Sequence, residues 1–252
     1  MRIIAIINQK GGVGKTTTSM NLAHALAKTG NQVMVIDLDP QANLTIGFGA
    51  QEKPQQGIAE VLMNALPINA VKKKIRDNLD LIPAGDRLGE FEYDVSSGVR
   101  RGFLLNEAIS EMGAEYHFVL IDCAPTSGIL GMNALLAANE IMIPVSGDYY
   151  SMQGASRMMQ IIDYVETSLK RDTKKWIVLT RYHQRRKLSR SVQEKMVHYF
   201  PNKVLTTPIR ETVALAESPS CGKTIFEYRR KNNGADDYMN LAKDIVDGKV
   251  CH

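Results

Sequence analysis

Residues 8–17 read Asn-Gln-Lys-Gly-Gly-Val-Gly-Lys-Thr-Thr, immediately after the apolar run Ile3–Ile7. An apolar strand, a glycine-rich turn and a helix start, in that order, make an anion cradle. The glycines let the backbone fold so that several N–H groups point inward, and Lys15 adds a cation. The helix expected from about Gly14 turns its positive dipole end toward the same place. Thr16 supplies the hydroxyl that such loops set on Mg2+. The stretch predicts a nucleoside-phosphate site walled by Gly11, Gly12, Val13, Gly14 and Thr17.

Outward from this loop, short β-branched runs alternate with longer helix-period segments. The expected strands are Ile3–Asn8, Gln32–Asp37, Leu79–Pro83, Phe118–Asp122, Ile141–Val145, Trp176–Thr180 and Lys203–Thr206. The expected helices are Thr16–Thr29, Gly102–Met112, Ile129–Ala138, Gln153–Lys170, Ser189–Phe200 and Ala235–Asp247. Gln51–Gln56 and Gly85–Gly98 read as irregular surface segments. Such alternation predicts an α/β fold with a mostly parallel central sheet and helices on both faces, and the glycine-rich loop at residues 8–17 makes a P-loop NTPase the expected version of it. No linker or repeat divides residues 1–252, so a single domain is expected. Functional residues then gather beyond the carboxyl ends of the strands.

Composition narrows the class without naming the function. Of 252 residues, 44% are hydrophobic and 23% charged, as in an ordinary globular chain, and a net charge of +4 is too small to argue for nucleic acid by itself. Cys123, Cys221 and Cys251 lack metal-ligand spacing, and their odd number argues against a disulfide framework. The first strand starts at once, leaving no room for a signal peptide, and the charge-free run Cys123–Asn139 is broken by Pro125, Gly128 and Gly131. A cytoplasmic protein without a membrane span is expected.

The loop departs from the general pattern G-x-x-x-x-G-K-[ST]: Gln9 stands where the first glycine belongs, and a second lysine, Lys10, precedes the glycine pair. The string Lys10–Thr17 resembles the deviant Walker A motif of the ParA/MinD ATPases. In that family the extra lysine reaches the nucleotide of the other subunit, so the resemblance implies an ATP-sandwich homodimer with Lys10 acting in trans.

Two further strand ends agree with it. Asp37-Leu38-Asp39-Pro40-Gln41-Ala42-Asn43 resembles the family's D-x-D-P-Q-x-N switch, although a strand-end aspartate before Asp-Pro is also how a turn is capped. The resemblance implies that Asp39 positions the attacking water and shares in the Mg2+ shell, with Asp37 on the magnesium side. Phe118–Asp122 has the shape of a Walker B strand, which gives Asp122 an outer-shell role on Mg2+. The following Cys123-Ala124-Pro125 resembles the family's D-x-P-P, with alanine for the first proline, and Cys123 reads as a small packed residue. Lys10, Lys15 and Asp39 form the expected catalytic set, with ATP and Mg2+ as cofactors. No histidine or other strong base lies in these motifs, so slow hydrolysis and switch behaviour are expected.

The resemblance spans nearly the whole chain and is to the ParA/Soj branch. Leu179–Tyr182 is similar to the segment near the adenine, and Thr207–Ser220 to the segment that closes over the base; they imply base contacts from Arg181 and Pro208. Where ParA/Soj members often read I-P-R-N-V-R-L, this chain has Arg210 at the proline position and Ala214 at the second arginine position. Ser146–Ser151 stands where many relatives read Q-x-E-Y-x-A.

From Lys170 to Arg190 there are nine lysines and arginines against one acid, Asp172. Arg185, Arg186, Lys187 and Arg190 are the densest part, and Arg229-Arg230-Lys231 is expected to extend the patch. Charge runs are often only solvated faces; here the resemblance implies sequence-independent DNA binding, doubled in an ATP dimer and salt-sensitive. It further implies partition of plasmids or chromosomes, nucleoid association with ATP, and a ParB-like activator. Relatives in the same branch position protein cargos or organelles instead. A MinD-like membrane ATPase would carry a basic C-terminal helix, but Asp236, Asp237, Asp244 and Asp247 dominate here. An iron–sulfur reductase would need two well-placed cysteines, which Cys123 and Cys221 are not.

Overall fold

A computed structural model describes residues 1–93, 98–113, 115–125 and 128–251. Seven strands form one sheet: β1 (Arg2–Ile6), β2 (Val33–Leu38), β3 (Lys73–Arg76), β4 (Leu79–Ile82), β5 (Phe118–Cys123), β6 (Glu140–Ser146) and β7 (Lys174–Thr180). Their order is β3-β4-β2-β5-β1-β6-β7. All neighbours are parallel except β3, which runs antiparallel to β4 at the edge.

The central strands are buried on both faces, as parallel strands covered by crossover helices must be. Period-two alternation divides their side chains between two cores. Ala5, Ile36, Val119, Ile121 and Ile143 enter one core, which also takes up apolar residues of helices Leu104–Glu111, Ile129–Ala137, Tyr149–Leu169 and Lys187–Tyr199. Ile4, Ile6, Val35, Leu120 and Trp176 enter the other, with α1 (Lys15–Lys28) and the helix Asn233–Asp247. The last helix commits Ala235, Tyr238, Leu241 and Ile245 to this core. Its apolar face is therefore spent inside the fold and is not available for a membrane.

Several expectations need correction. Lys203–Thr206 is not a strand but two isolated bridges, Val204 to Ile177 and Leu205 to Val250. The chain peels away because Asp244 takes both the Thr206 hydroxyl (2.7 Å) and the Thr207 amide (2.8 Å), and Pro208 has no amide to continue a ladder. Gly85–Gly98 contains a helix, Leu88–Tyr93, whose Leu88 and Phe91 are buried. The helix expected from Gln153 begins four residues earlier, at Tyr149, with Asp148 accepting the Ser151 amide as its N-cap.

The amino-terminal end of the sheet is closed by a complete polar network. Arg2 gives Nε and Nη2 to Glu140 (2.5 and 2.8 Å) and Nη1 to the Ile245 carbonyl (2.8 Å). Trp176 donates its indole N–H to the same Glu140 (2.5 Å). Although burial pushes the Glu140 carboxyl up, these donors hold it below the usual range.

Candidate nucleotide site

The carboxyl ends of β1, β2 and β5 lie side by side, with Asp122 in register with both Ile6 and Asp37. The loop after β1 turns back through left-handed Gly12 (φ 71°) and Gly14 (φ 86°), a conformation that disfavours any side chain. Gly14 caps α1 without any side-chain acceptor, so the first amides of that helix open onto the loop. Thr180 at the end of β7 donates to the Val13 carbonyl (2.7 Å), and Asn8 donates to the Pro144 carbonyl (2.8 Å), so β6 and β7 brace the loop.

Two hollows adjoin the loop. One, of about 580 Å3, is lined by Lys15, Thr16, Thr17, Asp39, Gln41 and Asn43 together with the loop glycines. The other, of about 210 Å3, shares Gly12, Gly14 and Thr17 and continues to Thr180, Arg181, Ile209 and Tyr238. The first gathers Lys15, Thr16 and the loop glycines, which suit a triphosphate, and the second leads on to Ile209 and Tyr238, which suit a base. Arg181 lines the second hollow as expected, bonded to Glu211 (2.9 Å). Pro208 does not line it; the wall is made by the four residues that follow, Ile209–Thr212. Arg210, standing at the proline position, is drawn away by a two-pronged pair with Asp237 (2.6 and 2.9 Å) and ties the closing segment to the last helix. Gly222 approaches Gly49 so closely that a Cβ on it would lie 2.7 Å from the Gly49 Cα, which seats that segment against the loop after Asn43–Gly47.

The carboxylates at the strand ends differ in what they hold. Asp122 accepts from Ser19 (2.7 Å) through one oxygen, while its other oxygen is buried with no partner. Burial, reinforced by the charge of Asp37, pushes its carboxyl up to about 8. Asp37 is fully buried but employed: one oxygen accepts from the Thr45 amide and hydroxyl (2.8 and 2.6 Å), the other from the Asp39 amide (3.3 Å). Burial still raises it, to about 6. Asp37 thus braces the turn that carries Asp39. Asp39 accepts the Gln41 amide (2.9 Å) and faces the phosphate hollow. Among the described residues no three His, Cys, Asp or Glu side chains gather into a metal site by themselves. The unpartnered Asp122 oxygen, beside the hydroxyl-bearing P-loop, fits an outer-shell place on a Mg2+ ion that Thr16 would hold.

The two loop lysines are held apart. Lys15 is buried and donates to the Lys10 carbonyl (3.2 Å); burial lowers its pKa, opposed by Asp122, Cys123 and Asp39. Lys10 turns away to Asp148 (2.7 Å) and Ser151 (2.9 Å) at the start of the helix Tyr149–Leu169. Against the upward push of burial, bonds from Lys10, Ser146 and Ser151 hold Asp148 down to about 2. Neither Asp148 nor Ser19 stood out in the sequence. Ser19 sits one helical turn after Lys15, which is the signal that could have found it; Asp148 stands at the glutamate position of Q-x-E-Y-x-A, but its partner lies 138 residues away.

Arg185, Arg186, Lys187 and Arg190 are exposed after β7 and make no ion pair with described residues. Arg229 and Arg230 do not extend that patch: Arg230 lines a hollow with Lys28 and the β3–β4 hairpin, at the other edge of the sheet. Cys123 is buried and, with burial pushing its thiol well up, inert; Cys221 and Cys251 are also free. Among the described residues no helix is long and apolar enough to cross a membrane.

Comparison with known proteins agrees with this geometry. A family model described as an AAA domain matches residues 1–175. The chain is 38% identical to the sporulation initiation inhibitor protein Soj of Bacillus subtilis, over 97% of this chain and 98% of that one. It is 37% identical to the chromosome partitioning protein ParA of Myxococcus xanthus, over 97% and 88%. The cobyrinic acid a,c-diamide synthase of Mycobacterium smegmatis, solved with an ATP analogue and magnesium, superposes with a TM-score of 0.84 at 28% identity, over 98% of this chain and 94% of that one. A deviant P-loop, a strand-end aspartate with an idle oxygen and full-length likeness to these relatives lead to one conclusion: the chain belongs to the ParA/Soj family of partitioning and positioning P-loop ATPases.

Proposed function

We propose that residues 1–252 act as one domain that cycles between an ATP-bound homodimer on DNA and a dissociated ADP form. The observation that carries this reading is the phosphate hollow itself, with the open α1 N-terminus, Lys15, Thr16, Asp39 and the unpartnered Asp122 oxygen around it. The chain is an ATPase that uses Mg2+. Bound at this site, Mg2+ would supply neutralising charge for the phosphates. The protein's own groups do the rest. Lys15 and the loop amides stabilise charge on the β- and γ-phosphate oxygens, Thr16 and, from the outer shell, Asp122 would hold the ion, and Asp39 orients water in line with the breaking bond. Burial keeps Lys15 dry, which strengthens its attraction to an anion. Among the described residues no strong base stands beside Asp39, so intrinsic turnover is slow.

Lys10 is the gate. Held by Asp148 and Ser151, it gives nothing to its own phosphate hollow, and it contributes when a second protomer offers a triphosphate. The exposed Arg185–Arg190 cluster then meets DNA phosphates in two copies, which gives nucleoid association in the ATP state. A ParB-like protein stimulates hydrolysis and names the cargo, whether plasmid, chromosome or protein assembly. The test is duplex DNA binding across a salt series in apo, ADP and non-hydrolysable ATP states, with Lys10→Ala and Arg186→Glu beside the wild type. ATP-dependent binding lost in both variants supports the reading; a Lys10→Ala protein that dimerises and hydrolyses ATP normally removes it.

A further inference from the structure

We infer that the Glu211 carboxylate sets the base specificity of the nucleotide site, accepting the exocyclic amine of adenine and turning away bases that carry an oxygen there. Among the described residues lining the second hollow, Glu211 supplies the only carboxylate. Bonds from His183 and Arg181 hold it below the usual carboxylate range, so at neutral pH it is ionised and can only accept.

Most of its accepting capacity is already used. Arg181 gives Nε and Nη2 to one oxygen (3.0 and 2.9 Å), and His183 gives Nε2 to the other (2.6 Å). A carboxylate has about four acceptor sites, which leaves one, on the oxygen that His183 holds. One acceptor suits one amine hydrogen. Guanine offers its N1 and N2 hydrogens side by side and needs both oxygens, but the oxygen held by Arg181 is full. A 6-oxo group would face the carboxylate as a second acceptor with no hydrogen between them, which discriminates against that base.

The other polar groups of the wall are employed elsewhere. Arg210 is committed to Asp237, the Tyr238 hydroxyl lies 3.3 Å from that of Thr18, and the Thr212 hydroxyl accepts the Leu215 amide (3.2 Å). Arg181 has hydrogens to give and no acceptor.

An exposed ion pair between Arg181 and Glu211 would by itself contribute little to stability. It does not account for the backbone beneath it. Arg181 is left-handed (φ 49°), which a residue with a Cβ sustains only where its surroundings enforce it. Here the Tyr182 amide bonds the Ile209 carbonyl (3.0 Å) and the Glu211 amide bonds the Tyr182 carbonyl (3.3 Å). Thr180, one residue earlier, holds the Val13 carbonyl of the P-loop. The phosphate loop, the Arg181 turn and Glu211 are therefore one connected wall, which fixes the carboxylate relative to the phosphates. The register that places Arg210 at the proline position of I-P-R-N-V-R-L also places Glu211 at its first arginine, a reversal of charge particular to this chain's closing segment.

This inference rests on the reading of the second hollow as the base site, and the experiment separates the two. Titration calorimetry with Mg2+ compares ADP, GDP, inosine diphosphate and the diphosphate of unsubstituted purine riboside. Diphosphates keep hydrolysis and subunit pairing out of the readout. The wild type is expected to bind ADP at least about tenfold more tightly than the other three, the loss of one hydrogen bond to a charged group. Glu211→Ala is expected to bind all four within about threefold, a levelling that a merely structural role would not produce. Glu211→Gln keeps the shape and can turn its amide hydrogens toward the base. It is expected to bind inosine diphosphate at least as tightly as ADP, and it carries the test should the alanine variant fail to fold. Ala216→Trp, at an exposed position lining the same hollow, is expected to abolish binding of all four. A wild type that does not discriminate, or Glu211 variants that keep its preference, overturns the inference alone. An Ala216→Trp protein that binds ADP as the wild type does overturns the base-site reading and the inference together.

Discussion

The two ends of the parallel sheet handle buried charge in opposite ways. At the amino-terminal end Glu140 is surrounded by donors from Arg2 and Trp176, and its carboxyl is held below the usual range. At the carboxyl-terminal end Asp122 keeps an oxygen with no partner and is pushed up to about 8. One end is finished by the chain itself. The other is left incomplete, and the missing partner is what the protein binds. Unsatisfied buried groups cost stability, so their survival at one end marks where binding is done.

The largest break in this comparison comes from the incomplete end. Lys15→Ala is expected to lower ATP hydrolysis by at least about 100-fold, read as phosphate release, because no other side chain at the loop can replace a buried ammonium. Asp39→Ala is expected to match that loss while retaining ATP binding.

At the finished end, Glu140→Gln is expected to cost about 2 kcal/mol in urea unfolding at pH 7. The folded carboxyl lies below its ordinary value of 4.5, so its contribution is present above that value and lost as pH falls through the depressed one. The gap between wild type and variant must close in acid.

Asp122→Asn tests the opposite sign. A carboxyl raised from 3.8 to about 8 favours the fold when protonated and loses that advantage as pH rises through the folded value. The ligand-free variant is expected to be more stable than wild type by at least about 1 kcal/mol above pH 8, with the difference shrinking as pH falls and vanishing only below the ordinary value of 3.8. Hydrolysis by the same variant is expected to fall. A destabilised Asp122→Asn protein at pH 8 would remove the contrast between the ends.

The smallest effect concerns Asp148. Its pair with Lys10 is part-exposed, with side-chain exposures of 35% and 44%, so Asp148→Asn, which can still cap the helix, should change stability by less than about 1 kcal/mol. Freed from its counterion, Lys10 is expected to dimerise at severalfold lower ATP concentration, measured by light scattering.

The P-loop, β1, β2 and β5 were legible because one local stretch carried each signal: glycines at turns and apolar runs ending in aspartate. β3 was not. Lys73-Lys74-Ile75-Arg76 lacks the apolar content of a strand, and it pairs only because the hairpin turn at left-handed Asn78 folds it back onto β4. Lys203–Thr206 misled in the other direction, since its apolar residues are buried without a continuing ladder. At the site, Lys15, Thr16 and Asp39 could be read from their motifs. What separates Asp37 from Asp122 is the Thr45 partner, a contact set by tertiary packing. The pairing of Lys10 with Asp148 and the removal of Arg230 from the Arg185 cluster depend likewise on topology, which spacing along a chain does not encode.

Asp148 serves two masters, the Lys10 ammonium and the first turn of the helix Tyr149–Leu169. On the proposed transfer of Lys10 toward a second subunit, Ser146 and the helix start keep that carboxylate, and the charge felt there would become more negative. The rod it anchors has 21 residues and reaches roughly 30 Å, from the phosphate end of the sheet to the turn at Lys170. In the proposed dimer, subunit pairing would thereby be coupled to the far end of the molecule through a single rigid lever, with no intervening hinge required.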